Sequence, residues 1–453
     1  MEFPTKSHYH EPISTSPLTS TPGSFTKTQS DSIKDTKVWA QKKILQVQTN
    51  AHIIKCLFGL KEDLSKGVQE DDSEGVHNIV FGNYGFNQEG TIEVINRPLL
   101  QQQKKVLGFL IKEFGSAIFS GKSIMSVSLP VTIFEPCSQI EREAHSLLYA
   151  PHFLEKAGEI NDVFEQFKLT VTFFLASLHL GVNPQKPFNP VLGETFQGMI
   201  GGCPVYGEQV SHHPPALGLQ MLGKNYTIEG TTEFNANLSM NSVKSKKIGY
   251  LKIKYKNTGV TIRGQTPIGV MEGTAIGKRT FRFTDKYYIF DIENKFYAEI
   301  DYDYEGNPVY KKLVKEAKEA KGAKISKDFF SGGIWMVKDN FVEKMKQSAA
   351  KLQDVELKFK EKEHAMMKLE TIQGHWMQYL KLGDKVSWTF GDPWPYKLQY
   401  SENPLPSDSN FRLDLLYLKL KDEEKAQDHK KRIEEAQRQD RKLREKYASQ
   451  KKK

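Results

Sequence analysis

The feature that most constrains this chain is a run of short alternating segments between about residues 190 and 305. Tyr226-Thr227-Ile228, Tyr250 to Tyr255, Phe281-Arg282-Phe283 and Tyr287 to Phe290 follow one another at roughly ten-residue intervals, with Gly- and Asn-rich turns between. That spacing predicts an antiparallel sandwich or barrel. Leu251, Ile253 and Tyr255 alternate with Tyr250, Lys252 and Lys254, which predicts one buried and one wet face.

Helical patterns flank the strands. After Pro98, Val106, Leu107, Leu110, Phe114, Ala117 and Ile118 fall at helical spacing among Lys104, Lys105, Lys112 and Glu113, with Gly121 as a stop. Period alone leaves this run open as a core helix, a mobile lid or a membrane-surface helix. Residues 161–180 give the clearest helix. Val163, Phe164, Phe167, Val171, Phe174, Leu175 and Leu178 line one face, which reads as core, and Asn161 or Asp162 supplies the N-cap. Charged stretches at about 308–325 and 339–370 read as solvated surface helices. Aromatic-rich strands return between Trp376 and Tyr400. Residues 421–453 read as a basic helix with 13 Lys/Arg against 8 Asp/Glu. That helix lacks the interleaved aromatics of a nucleic-acid surface, so no nucleic-acid partner is expected.

At the other end, residues 1–36 hold 14 Ser/Thr and four Pro with hardly any aliphatic side chain. Such a segment buries too little apolar surface to offset the entropy of ordering and reads as disordered. Residues 37–97 read as a helical and loop extension, helical from Lys37 to about Lys66 and broken by Glu70-Asp71-Asp72.

The 453 residues exceed one ordinary domain, although a large barrel absorbs most of such a length. No stretch approaches the roughly 18–20 apolar residues of a membrane span. Residues 1–30 have no apolar block of a secretory signal, so a soluble, cytoplasmic protein is expected. Cys56, Cys137 and Cys203 are few, odd in number and far apart, which argues against a disulfide framework or a zinc site; neither metal nor cofactor is expected. The net charge of +9 favours anionic partners.

The most informative segment is Glu208-Gln209-Val210-Ser211-His212-His213-Pro214-Pro215. Each proline fixes its own φ and restricts the residue before it, so the two histidines sit on stiff backbone. Paired imidazoles there present donors to an anion, more strongly when protonated. A structural His-His turn and a ligand-binding His pair both fit this pattern. Chelation of a metal is disfavoured, because neighbours on an extended segment face opposite ways.

EQVSHHPP resembles the fingerprint of the oxysterol-binding protein-related family. Two further blocks agree in order. Lys186-Pro187-Phe188-Asn189-Pro190-Val191-Leu192-Gly193-Glu194 is similar to the family's KPxNPxLGE block. Lys430 to Arg438, after Leu405-Pro406-Ser407-Asp408-Ser409-Asn410-Phe411-Arg412, is similar to its C-terminal K-x-x-x-E-x-x-x-R helix.

The resemblance covers residues 98–445 and implies a mainly β lipid-transfer domain with helices: an incomplete antiparallel β-barrel enclosing a lipid tunnel. It also implies an N-terminal lid at 98–122 and a C-terminal helical extension, leaving 446–453 as a basic tail. Its implied ligand is phosphatidylinositol 4-phosphate, exchanged against a sterol or phosphatidylserine. Carried over residue by residue, the headgroup-binding set is Lys186, Asn189, His212, His213, Lys430, Glu434 and Arg438. Lys430, Glu434 and Arg438 are spaced i, i+4, i+8, so Glu434 is placed to pair with both cations. One departure is Leu413 after Phe411-Arg412, where many members have Pro.

Non-enzymatic transfer by a monomer working peripherally at anionic membranes is therefore expected. The alternative is a phosphoinositide or sterol sensor, or a tether, without net transport. An enzyme is not expected. The residues six positions after the three cysteines are Glu62, Glu143 and Gln209, so a thiolate–Arg phosphatase loop is missing.

Overall fold

The computed structural model describes residues 83–87, 91–106, 108, 128–239, 241–303, 306–319, 326–351 and 366–451. The expectations for residues 1–36, for the helix from Lys37 to about Lys66 and for most of the lid lie outside these. Of the lid, only a helix over 97–106, α1, is described.

The first strands are β1 (Tyr84–Phe86) and β2 (Ile92–Val94), followed by β3 (Phe134–Ser138) and β4 (Lys186–Phe188). Helices α2 (Gln139–His145), α3 (Ala150–Gly158) and α4 (Val163–Ala176) lie between β3 and β4. A meander then runs through β5 (Thr195–Ile200), β6 (Cys203–His212), β7 (Pro215–Leu222) and β8 (Tyr226–Leu238). Next come β9 (Ser242–Ile248), β10 (Leu251–Tyr255), β11 (Thr261–Gln265), β12 (Ile268–Glu272) and β13 (Thr280–Thr284). The series continues with β14 (Lys286–Asp291), β15 (Phe296–Asp301), α5 (Pro308–Glu319), β16 (Phe329–Val337) and α6 (Asp339–Lys351). It closes with β17 (Met366–His375), β18 (Tyr379–Leu382), β19 (Lys385–Thr389), β20 (Leu398–Tyr400), α7 (Leu413–Lys419) and α8 (Glu423–Lys451).

All strands but β3 and β4 share one antiparallel sheet. It forks at β8, whose first half pairs with β10 and second half with β9. From β10 the sheet continues through β11, β14, β15, β16, β17 and β18 to β19. From β9 it runs through β12 and β13 to β2 and β1. On the other side of β8 it runs through β7, β6 and β5 to β20. Among the described residues β19 and β20 do not pair with each other, so the barrel is incomplete.

Period-2 alternation fills its inside. Ile228, Ile253 and Ile262 stand in one cross-strand row and Ile289, Ala298 and Ile334 in another, all fully buried, while Glu229, Lys252 and Lys254 face out. Helix α4 starts where Asp162 caps it, its carboxylate accepting from the N–H of Phe164 at 2.8 Å and of Glu165 at 3.1 Å. Its face of Phe167, Val171, Phe174 and Leu175 joins the main core, each side chain contributing about 1.5–3 kcal/mol.

Three expectations need correction. The charged stretch 339–370 is not one solvated helix. Helix α6, described over Asp339–Lys351, buries Phe341 and Met345 on the barrel's outer face against Tyr250, Tyr288, Phe290 and Tyr297. Residues 366–370 belong to β17, whose ladder with β16 places Lys368 beside Trp335. Within 37–97, β1 and β2 pair antiparallel, and β2 joins the sheet at β13. The terminal helix runs on to Lys451, so residues 446–451 continue it.

Candidate functional site

The three motif blocks meet in space, and the first two do so through backbone. Lys186 opens β4, which pairs in parallel with β3. The chain then turns at Gly193, whose φ of +79° lies in the left-handed region that suits glycine. The N–H of Gly193 donates to Gln209 O and the N–H of Gln209 donates to Glu194 O, both at 2.9 Å, which zips this turn onto the fingerprint strand β6.

The Glu194 carboxylate is buried and holds the turn together. It accepts from Ser138 Oγ at 2.6 Å, from Val191 N at 2.9 Å and from Arg412 Nη1 at 2.9 Å. Arg412 also donates to the Asn189 carbonyl at 2.9 Å and forks onto Asp414 at 3.0 and 2.6 Å. This buried acid–base set ties the loop after β4 to the start of α7. Leu413 occupies the first position of α7, the one helical position where proline is also tolerated, so the departure from the family pattern leaves the turn intact.

Two lysines approach one aromatic ring. Lys186 Nζ stands 5.1 Å and Lys430 Nζ 5.5 Å from the centroid of the Phe134 ring, each within cation–π range. Lys186 donates to the Asn189 side chain and to the Pro187 carbonyl at 3.3 Å. Lys430 is only 5% exposed; it pairs with Glu434 and donates to Ser128 Oγ at 3.2 Å. Glu434 also accepts from Ser128 Oγ at 2.7 Å and pairs with Arg438 at 3.5 Å. Burial above all, then the charge of Lys430, and Arg412 after partial compensation by Glu434, push the Lys186 ammonium down to about 7.

The histidines stand further along α8, at Arg441. His212 pairs with Pro215 across the β6–β7 hairpin, so the chain reverses at His213-Pro214. The two rings therefore stand edge to face, 4.6 Å apart, rather than on opposite sides of an extended strand. Arg441 Nη1 donates to His213 Nε2 at 3.2 Å. Among the described residues, His212 Nδ1 is buried with no hydrogen-bond partner, and so is Gln437 Nε2 on α8. Burial first, then His213, Arg441 and Arg444, push His212 down to about 4, so it is neutral at neutral pH. From Lys430 to Arg441, α8 rises about 16 Å while Glu434, Gln437 and Arg441 stay within about 40° of the Lys430 azimuth.

The seven residues singled out in the sequence thus fall into two groups. Lys186, Asn189, Lys430, Glu434 and Arg438 gather near Phe134, with Arg438 at the exposed margin. His212 and His213 stand beside Arg441 instead. Sequence reasoning missed Arg441, Gln437, Ser128 and the Glu194–Arg412–Asp414 set. Helical arithmetic places Gln437 and Arg441 on the Lys430 face; nothing local marks the others.

A separate hollow of about 650 Å³ lies outside this cluster. Tyr206, Glu208, Gln220, Glu229 and Lys252, which alternate with buried neighbours on β6, β7, β8 and β10, line it with Leu405.

The family model for oxysterol-binding protein matches residues 114–453. The chain belongs to the oxysterol-binding protein family. Oxysterol-binding protein 9 of Dictyostelium discoideum is 29% identical over 368 residues, 80% of this chain and 81% of that one. Oxysterol-binding protein-related protein 3C of Arabidopsis thaliana is 30% identical over 162 residues, a match spanning 35% of each chain. Oxysterol-binding protein-related protein 6 of Homo sapiens is 35% identical over 111 residues, 23% of this chain and 12% of that protein. Among solved structures, the Osh3 ORD of Saccharomyces cerevisiae in complex with PI(4)P shares the fold with a TM-score of 0.54 at 21% identity, over 75% of this chain and 84% of that one. The Osh1 ORD domain in complex with ergosterol gives 0.53 at 19%, over 77% and 89%. The incomplete antiparallel barrel is therefore the family's fold. Among the described residues no helix is long and apolar enough to cross a membrane, and no group of three or more His, Cys, Asp or Glu is placed to hold a metal ion.

Proposed function

We propose that this is a non-enzymatic lipid-transfer protein of the cytoplasm. It grips phosphatidylinositol 4-phosphate by its headgroup and exchanges it for a sterol or phosphatidylserine between membranes, working as a monomer at their anionic surfaces. The observation that carries this reading is the pair Lys186 and Lys430, held over one phenylalanine, with the Glu434 carboxylate shared by Lys430 and Arg438. Buried ammonium groups are costly without an anion, and donors fixed in a desolvated site bind a phosphate more strongly than surface lysines do. His212, His213 and Arg441 supply further donors along the same helix. Acyl or sterol surface would be covered inside the barrel at about 25 cal/mol per Å². Related solved structures in complex with PI(4)P, ergosterol or cholesterol support a sterol as the exchanged lipid.

The test is transfer of labelled phosphatidylinositol 4-phosphate between liposomes, comparing wild type with His212→Ala/His213→Ala. Headgroup-dependent transfer that the double variant loses is the expected result. Binding without transfer by wild type would make the protein a sensor or tether, and no binding at all would remove the headgroup site.

A further inference from the structure

Strands β1 and β2 and helix α1 precede the family-matched residues 114–453 and are built into the barrel. Tyr84, Ile92 and Val94 are buried and belong to the main core. Both sides of β2 are fastened. The N–H of Val94 donates to Arg279 O at 2.7 Å, beside the Glu93–Lys278 ion pair at 2.9 Å. The N–H of Ile92 donates to Asp328 Oδ2 at 3.1 Å, and Trp376 Nε1 donates to the other oxygen of that buried carboxylate. Asn96 then starts α1. Its side-chain oxygen accepts from the N–H of Leu99 at 3.0 Å, and its amide donates to Asn83 Oδ1 at 2.9 Å.

Helix α1 reaches the ring that carries the lysines. Gln103 Nε2 donates to Pro184 O at 2.6 Å, two residues before Lys186, and Gln103 Oε1 accepts from Arg279 Nη1. Arg279 is buried, and its other two donor nitrogens go to Gly273 O and Thr274 O at 3.1 Å each. Val106, also buried, packs in one cluster with Phe134, Phe188 and Leu415. Phe134 is the register partner of Lys186 and the ring beneath its ammonium. One helix therefore grips the backbone that carries Lys186 and seals the apolar floor below it. Arg97, Lys104 and Lys105 of α1 are exposed, and Glu135 of β3 is paired with Arg142. The charges facing Lys186 are Lys430, Glu434 and Arg412.

We propose that β1, β2 and α1 form a strap that sets Lys186 in place and keeps water from it, with Gln103 as its positioning residue. This role rests on the lipid-exchange reading, in which Lys186 meets the headgroup. The Gln103 amide ties the chain before β4 to the turn before β13, and neither bond survives replacement by an apolar side chain.

Competitive labelling of the ligand-free full chain with trace acetic anhydride, read at Lys186 by mass spectrometry from pH 6 to pH 10, tests it. Wild type should show a midpoint of about 7. Gln103→Leu should move it by at least about one pH unit toward the ordinary lysine value of about 10.4, because water then reaches the ammonium. Val106→Ala leaves Arg279 fully bonded and should shift the midpoint the same way, which covers a Gln103→Leu chain that does not fold. Asp162→Ala removes the cap of α4, a loss of stability outside the strap, and should keep the wild-type midpoint. An ordinary lysine midpoint in wild type, no shift in either strap variant, or an equal shift in Asp162→Ala would overturn the proposal. Titration with soluble dioctanoyl phosphatidylinositol 4-phosphate at pH 7 reads the positioning. Gln103→Leu should bind about tenfold more weakly, and unchanged affinity would overturn that role. A wild type that binds none of this lipid, with the labelling shifts intact, removes the headgroup reading and leaves the strap standing.

Discussion

Lys186 makes the headgroup site testable by pH. With the site empty, its ammonium is held by Asn189 and the Pro187 carbonyl, faces the cations Lys430 and Arg412, and has Glu434 as compensation. Its pKa of about 7 means that it is half protonated at neutral pH and neutral above it. A phosphate brought against it stabilises the charged form, so binding above pH 7 takes up a proton. The dissociation constant should then rise tenfold per pH unit once the pH clears 7, or about fiftyfold between pH 7 and pH 9. The ligand's second phosphate ionisation, near 6, is complete across this window, and His212 at about 4 stays neutral through it.

The sign for the empty protein is opposite. The folded pKa lies below the unfolded value of about 10.4, so the unfolded chain holds more protons between the two and folding stability rises with pH across that interval. Calorimetric titration at pH 8 in two buffers of different ionisation enthalpy counts the proton directly. Lys186→Arg, which stays charged throughout, should bind with a flat profile between pH 7 and pH 9. A flat profile in wild type, or the same slope in Lys186→Arg, would refute the reasoning.

Two further predictions concern the scaffold. Glu194→Ala strips a buried carboxylate from Arg412 and leaves the Val191 N–H without its acceptor; Asp414 still pairs with Arg412, so the cost should sit at the low end of the range for a broken buried pair, about 3 kcal/mol by urea unfolding at constant m. A loss under about 1 kcal/mol would sink that account of the loop. At Gly207 a Cβ would stand 2.3 Å from Ile140 Cγ2, so Gly207→Ala should cost about 1–3 kcal/mol, and in an Ile140→Ala background most of that cost should vanish. Simple additivity of the two changes would show that α2 does not press on β6 there.

What was legible in the sequence is what is decided locally. Alternation at Leu251, Ile253 and Tyr255 follows from the two faces of a strand, and Asp162 caps α4 because a carboxylate satisfies the first free N–H groups wherever the helix lies. Tyr250 was misjudged as wet because its cover, Phe341 and Met345, arrives from a helix about ninety residues on. The strand at 366–370 was hidden for a related reason. Met366-Met367-Lys368-Leu369-Glu370 carries charges that a helix or a half-exposed strand tolerates equally, and only pairing with β16 selects the strand. The Glu194–Arg412 contact spans 218 positions and has no local signature. Arg441 differs: its azimuth on α8 could be computed, but the motif ends at Arg438 and the hairpin that reaches Arg441 is set by the sheet.

Helix α8 explains why the site needs two kinds of cation. At its inner end Lys430 is only 5% exposed, wedged over Phe134 and held by Ser128 and Glu434. Such a donor acts at short range in a low dielectric, where salt screens little. Further along, Arg438 and Arg441 have side chains 57% and 47% exposed, where salt screens strongly and each is worth little alone. Exposed arginines raise the rate at which an anion arrives, whereas a desolvated lysine governs how long it stays. One rigid helix carrying both places capture at its outer end and retention at its inner end, so affinity and encounter rate should respond separately to salt. On the proposed reading, the shallow end would meet an arriving headgroup first, and the deep end would hold it out of water.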